Sequence, residues 1–200
     1  MPENGNEHIR LVALQGSVRP GNFTSKALAL AVDEARKHAG VAVEVIDPAE
    51  MELNLPGRGD TPDAARMREV VGRATGVLFA TPEYHGSFSS VTKLIIDNLG
   101  FPSVLAGKPI ALLGVAAGSI GAIKALEHLR SVLSHVGGIV LPGPVSVARV
   151  RGVFDAGGVV RDARIEELVR GVATNLIHYI EDNICPRFAL EAMVREGEPA

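Results

Sequence analysis

The chain has 200 residues, 46% of them hydrophobic, which is enough to bury one substantial core in a single domain. Its net charge is −3 with both signs interspersed, so it offers no basic stripe for nucleic acid and no acidic tail. No apolar run approaches the roughly 20 residues of a membrane span, and the opening MPENGNEHIR has neither a basic n-region nor an apolar h-region, so no membrane partner and a cytoplasmic location are expected.

The first strand is read at IRLVAL, residues 9–14, and the second at VAVEVI, residues 41–46. Between them Leu28, Ala31, Val32 and Ala35 recur at helical spacing. The Pro/Gly-rich segment from Asp47 to Pro62 reads as a long loop. GVLFA, residues 76–80, and PIALLGV, residues 109–115, give the third and fourth strands, and IVLPGPVSVA, residues 139–148, a less tidy fifth. Leu126, Leu129, Val132, Leu133 and Val136 mark the helix between the last two. A Gly-rich turn at Asp155 to Gly158 leads into a closing helix from about Arg161 to Asn183. Strands that are apolar on both faces and alternate with helices predict an α/β fold, a parallel sheet covered on both sides. The whole of residues 1–200 reads as one domain, with a core over 8–183 and a C-terminal extension over 184–200 that packs on a partner subunit or frays. Cys185, the single cysteine, excludes an internal disulfide and a multi-cysteine zinc site and reads as a small residue of the terminal helix.

In such a sheet the ligand crevice lies beyond the carboxyl ends of the strands, where strand order reverses. Three loops stand there. In LQGSVRPGNFTSKALAL, the residues Gly16, Ser17, Arg19, Asn22, Thr24 and Ser25 set hydroxyls, an amide and a guanidinium at a helix N-terminus, which suits a phosphate. Capping alone would need only Thr24 or Ser25. GSVRPG has the spacing of a P-loop, but Asn22 and Phe23 stand where Lys and Ser/Thr are required, and there is no G-x-G-x-x-G for a Rossmann dinucleotide site, which leaves a mononucleotide phosphate. Asp47 lies well beyond the roughly 20 residues expected of a ribose-binding acid and reads as a turn residue. In TPEYHGSFSS, Glu83 and His85 suggest acid–base chemistry or a metal, yet His8, His38, His128, His135 and His178 form no zinc pattern, and His128 and His135 are expected on the surface. A flat, partly apolar ligand held by backbone N–H groups and the edge of Tyr84 suits that loop better. In GVAAGSIGAIKALEHLR, Gly118 and Gly121 permit close backbone approach, Ser119 is a candidate N-cap, and the absence of G-x-S-x-G argues against a hydrolase.

In this order and at these spacings, GSVRPGNFTS, PEYHGSFSSVTK and GVAAGSIGA resemble the NAD(P)H-dependent FMN reductase family of flavodoxin-like proteins, over about Ile9 to Ile180. The family's loop after strand three reads P-E-Y-N-G-S. The resemblance implies a three-layer sandwich with a five-stranded parallel sheet of order 2-1-3-4-5, FMN as cofactor and NADPH or NADH as co-substrate. It implies that Ser17, Arg19, Asn22 and Thr24 hold the FMN phosphate, with Gly16 and Phe23 in the same loop. Pro82, Glu83, Tyr84, His85, Gly86 and Ser87 would line the ribityl chain and isoalloxazine, and Ala117, Gly118 and Gly121 would border the ring. Hydride would pass from nicotinamide to flavin and on to a quinone, azo compound, metal ion or free flavin, with no metal and no obligatory protein acid or base. A homodimer or homotetramer is also implied, with Phe88, Phe101 and Phe188 as contributors. The sequence departs from the family at His85 in place of Asn, at Asn22 and Thr24 in place of Ser and Asn, and at GSFSSVTKLIIDNL in place of a proline–glycine start. That last segment also resembles the branch that hands reduced FMN to a monooxygenase. Two alternatives stand beside the reductase: a flavodoxin-type electron carrier, and a flavin- or nucleotide-sensing module on the same fold.

Overall fold

The computed structural model describes residues 9–155 and 157–186. Strand β1 (Ile9–Gln15) is followed by helix α1 (Phe23–Arg36), β2 (Val41–Ile46), a single 3-10 turn (Pro48–Glu50) and α2 (Pro62–Arg73). Then come β3 (Gly76–Tyr84), β4 (Ser87–Phe88), α3 (Ser90–Asn98), β5 (Pro109–Val115) and α4 (Ile123–His135). Two short strands, β6 (Ile139–Val140) and β7 (Val145–Val147), the turn-length α5 (Val150–Val153) and α6 (Ala163–Tyr179) complete the order, with a wider π turn over Ile180–Ile184. The parallel sheet runs β2-β1-β3-β5-β6, with β7 also on β5, which is the predicted order.

Both faces of the sheet are buried, as the unbroken apolar runs require. Leu11, Ala13, Leu78, Ala80 and Leu113 point to one side, where Ala27, Leu28, Ala31 and Val32 of α1 and Val169, Val172, Ala173 and Leu176 of α6 cover them. Val12, Leu14, Val77, Phe79 and Leu112 point to the other, under Met67 and Val71 of α2, Ile95 of α3, and Leu126, Leu129 and Leu133 of α4. Cys185 is partly buried against the first of these clusters, and no helix among the described residues is long and apolar enough to cross a membrane.

The structure corrects three readings of the sequence. The fifth strand is two strands, because Pro142 and Pro144 have no N–H to donate and the chain leaves the ladder between Val140 and Val145. The third strand runs past Ala80 to Tyr84, and Glu83 and Tyr84 pair antiparallel with Phe88 and Ser87. The predicted loop after β2 contains the 3-10 turn capped by Asp47, whose carboxylate accepts from Ala49 N at 2.9 Å. The tail beyond Pro186, including Phe188, lies outside the described residues.

The hairpin joining β3 to β4 has only His85 and Gly86 between paired residues, at φ 52° and 76°. Two successive residues of positive φ make a type I′ turn, whose twist matches the flanking strands. Asn and Gly favour that backbone, and His is among the few other residues that enter it at modest cost.

Behind the hairpin, a chain of buried hydroxyls docks the loop after β1 onto the start of α3. Ser89 Oγ donates to Gly16 O at 2.5 Å, Thr92 Oγ1 to Thr81 Oγ1 at 2.9 Å, and Thr81 Oγ1 to Pro82 O at 3.0 Å. Ser89 Oγ in turn accepts from Thr92 N and caps α3. Three protons meet three acceptors, and Ser89, Thr92 and Thr81 are each at most 1% exposed. Thr92→Val keeps the shape and removes the donor to Thr81, so it should lower unfolding free energy by about 1–3 kcal/mol in urea denaturation, with Thr92→Ser recovering most of it. His85→Asn should raise stability by about 0.5–1 kcal/mol through relief of the left-handed backbone; a loss would show that contacts of the ring outweigh the strain.

Candidate functional site

The carboxyl ends of β1, β3 and β5 open into a cleft of about 370 Å³. The loop after β1 forms its floor. Gln15 Nε2 donates to Ser17 O at 2.9 Å and to Asp47 Oδ1 at 3.0 Å, which fixes the turn that buries Ser17. Ser17 Oγ has no hydrogen-bond partner among the described residues, though Ser17 is 2% exposed. Such an orphan is costly unless a ligand satisfies it.

The cap of α1 differs from the sequence reading. Asn22, not Thr24 or Ser25, is the N-cap: its Oδ1 accepts from Ser25 N at 2.7 Å and its Nδ2 donates to Arg19 O at 2.8 Å. Asn22 therefore spends its side chain on the loop itself. The N–H groups of Phe23 and Thr24 at the helix start have no intrahelical partner and carry the positive end of the dipole. Arg19 stands over the Tyr84 ring, its guanidinium carbon 5.0 Å from the centroid, so the phosphate-type loop and the hairpin meet across the cleft.

A second recess of about 380 Å³ adjoins the first, and the two share Glu83, Ala116 and Ala117. Its walls are His85 and Gly86 on one side and the loop from Gly118 to Gly121 on the other. Glu83 does not face this space as a free acid: its Oε2 accepts from Ala125 N at 3.1 Å in the first turn of α4. Ser146 Oγ accepts from Ala122 N at 2.8 Å at the same helix end, so Glu83 and Ser146 do the capping expected of Ser119, which is exposed. Gly121 has φ 82°, and a Cβ there would fall 2.4 Å from Ser146 Oγ; that contact is what its lack of a side chain serves. Gly118 has open space around it.

Of the residues singled out from sequence, Ser17, Arg19, Asn22, Phe23, Thr24, Pro82, Glu83, Tyr84 and Ala117 line the first recess, and His85, Gly86, Gly118 and Gly121 the second. Gly16 and Ser87 stand behind. A Cβ on Gly16 would lie 2.2 Å from Thr92 Oγ1, and Ser87 Oγ is turned to His128 Nδ1 at 3.1 Å on the exposed side of α4. His128 and His135 are exposed, and among the described residues no group of three or more His, Cys, Asp or Glu could hold a metal ion. Sequence reasoning missed Val150 and Arg151, which line the first recess. No local pattern marks them, because they reach the cleft only when the chain after β7 folds back toward α1.

The site fits FMN. A buried unpaired hydroxyl, a guanidinium and two free helix N–H groups suit a phosphate, and the adjoining recess, walled by a hairpin and backbone rather than ionised side chains, suits a flat ring.

The comparisons with known proteins point the same way. The sequence profile described as NADPH-dependent FMN reductase matches residues 9–151. An NAD(P)H-dependent FMN reductase of Pseudomonas aeruginosa is 33% identical over 171 residues, covering 82% of this chain and 91% of that protein. An FMN-dependent NADPH-azoreductase of Staphylococcus aureus is 31% identical over 139 residues, 66% of this chain and 72% of its own. Among solved structures, the flavoenzyme NAD(P)H:(acceptor) oxidoreductase FerB from Paracoccus denitrificans superposes with a TM-score of 0.73 at 22% identity, covering 87% of this chain and 98% of that one, which establishes the shared flavodoxin-like fold. With the profile spanning most of its described length and its β1, β3 and β5 loops converging on one cleft, the chain belongs to the NADPH-dependent FMN reductase family.

Proposed function

We propose that the cleft at Ser17, Arg19 and Tyr84 is the FMN site of an NAD(P)H-dependent oxidoreductase that reduces a small-molecule acceptor such as a quinone, an azo compound, a metal ion or free flavin. The observation that carries the assignment of residues is Ser17 Oγ, a buried hydroxyl without a partner at the floor of a cleft whose rim holds an arginine. FMN supplies, when bound, the capacity to accept hydride from a nicotinamide and to return electrons to the acceptor.

The chain's own contribution is binding, orientation and exclusion of water. Ser17 Oγ, the Arg19 guanidinium and the N–H groups of Phe23 and Thr24 hold the phosphate. Tyr84, with the Arg19 guanidinium over its ring, and the left-handed turn at His85 and Gly86 would line the isoalloxazine. Glu83 acts through the position of α4, and no protein proton donor is required. Nicotinamide and acceptor then approach from the second recess, between His85 and Gly118. A homodimer or homotetramer that narrows this approach belongs to the same reading. Ile120, beside the recess, is 76% exposed and Phe101 is 96% exposed, whereas Phe88 packs partly into the core under α4 and contributes little outward surface.

Purified protein loaded with FMN should bleach rapidly when mixed anaerobically with NADPH or NADH, read as loss of flavin absorbance. Bound flavin that neither nucleotide reduces would convert the reading to an electron carrier, and failure to bind FMN at micromolar concentration would end it. Arg19→Ala should weaken FMN binding by about 1.5–3 kcal/mol, the scale of a charge-assisted hydrogen bond, in a fluorescence-quenching titration; unchanged affinity would place the phosphate elsewhere.

A further inference from the structure

The segment after β7 brings a cation to the cleft. It begins at Arg149, whose φ of 47° is a left-handed conformation that a non-glycine residue holds only where surrounding contacts impose it. Those contacts are present: Arg149 N donates to Gly118 O at 3.0 Å and Val150 N to Ala116 O at 3.0 Å, which stitches the segment to the loop after β5. A few residues on, the Phe154 ring lies 6.1 Å from that of Phe23, the first residue of α1, and Arg161 N closes back onto Val153 O at 2.8 Å. The segment thus spans from one side of the cleft to the other, anchored at both ends.

Arg151 stands between those anchors. It lines the same cleft as Ser17 and Arg19, on an element distant from both in sequence, and its residue is otherwise exposed. Among the described residues no carboxylate lies within ion-pair distance of Arg19 or Arg151. Among the described residues the one carboxylate lining the cleft, Glu83, is committed to the N-terminus of α4. The cleft is therefore lined by two arginines, neither paired with an acid, and by a buried, unpaired hydroxyl.

A phosphate monoester carries close to two negative charges near neutral pH and offers three acceptor oxygens, more than one guanidinium and one hydroxyl satisfy. We propose that Arg151 is a second phosphate-binding arginine, which holds the FMN phosphate together with Arg19 and Ser17. The proposal rests on the FMN site described above. Because α5 is tied to the loop after β5, binding of the phosphate also steadies the backbone at Ala116 and Gly118, where the second recess begins.

The test compares FMN with riboflavin, which has the ring and ribityl chain without the phosphate. Wild type, Arg151→Ala and Arg151→Lys are titrated with each by fluorescence quenching, at two salt concentrations. Arg151→Ala should weaken FMN binding roughly 10- to 100-fold while riboflavin binding changes less than about twofold, and Arg151→Lys should recover part of the loss. The salt dependence of FMN binding should also be shallower in the alanine variant. Equal loss for FMN and riboflavin would overturn the proposal in favour of a packing role. So would unchanged FMN affinity with a raised KM for NADPH, which would assign Arg151 to the nucleotide. Wild-type protein that binds neither flavin would instead overturn the underlying FMN site, so the two failures are distinct.

Discussion

The cleft depends on one close approach, that of the Gly16 backbone to the start of α3. Gly16 N donates to Ala80 O at 2.8 Å and Gly16 O accepts from Ser89 Oγ at 2.5 Å, so one residue is bonded on both sides to the β3–α3 corner. The space where a Cβ would stand is taken by Thr92 Oγ1 and Ala80 O, at 2.2 and 2.7 Å from it. Any larger residue would push the loop after β1 away from the hairpin, and with it Ser17 and Arg19 away from Tyr84. Gly16 lines neither recess. It sets the distance between the two loops that do.

Of the helices that start on this edge of the sheet, α1, α3 and α4 begin directly behind the loop after β1, the β3–β4 hairpin and the loop after β5. Ser89 and its hydroxyl chain close α3 in the interior. Glu83 and Ser146 close α4, and Glu83 brings a negative charge that offsets the dipole there. At α1, Asn22 takes only Ser25 N and leaves the first two N–H groups free beside Ser17 Oγ. The difference between α1 and α4 is thus one of charge and place: α1 starts on a neutral amide cap at the cleft that holds the unpaired Ser17 hydroxyl, whereas α4 starts on the Glu83 carboxylate. A ligand with one anionic end and one flat, nearly neutral end matches that division.

The layers of the fold were legible because parallel strands buried on both faces must be apolar, as GVLFA and PIALLGV are and as IRLVAL is but for the exposed Arg10. The ends of strands were less so. Pro142 and Pro144 divide the fifth strand for a backbone reason visible in the sequence, yet which residues rejoin β5 is settled only by register. Loop membership was legible in the same way: nearly every polar residue singled out after β1 and β3 lines the cleft. The roles within the loops were not. Asn22, Thr24 and Ser25 are each competent caps, and the choice of Asn22 follows from the fold of the Arg19 turn, which the Asn22 amide itself closes. Glu83 as a helix cap and Arg151 as a lining residue both depend on contacts between residues far apart in sequence, and no local pattern encodes them.

Two of the three departures from the family's motif, those at His85 and at SFSS, take on a backbone meaning. At His85, where the family's motif has Asn before Gly, the two-residue turn requires positive φ at both positions, which His meets at some cost. A substitution that keeps the turn keeps the wall of the second recess in place, and only the exposed ring of His85 is new to the approach. In SFSS, Ser89 supplies what the helix start needs, a cap and a hydroxyl that reaches Gly16 O, and it is 1% exposed. Its role is to lock the loop after β1, and it lines neither recess. Of these two departures, therefore, only His85 lines the second recess, where it stands opposite the exposed loop around Ile120.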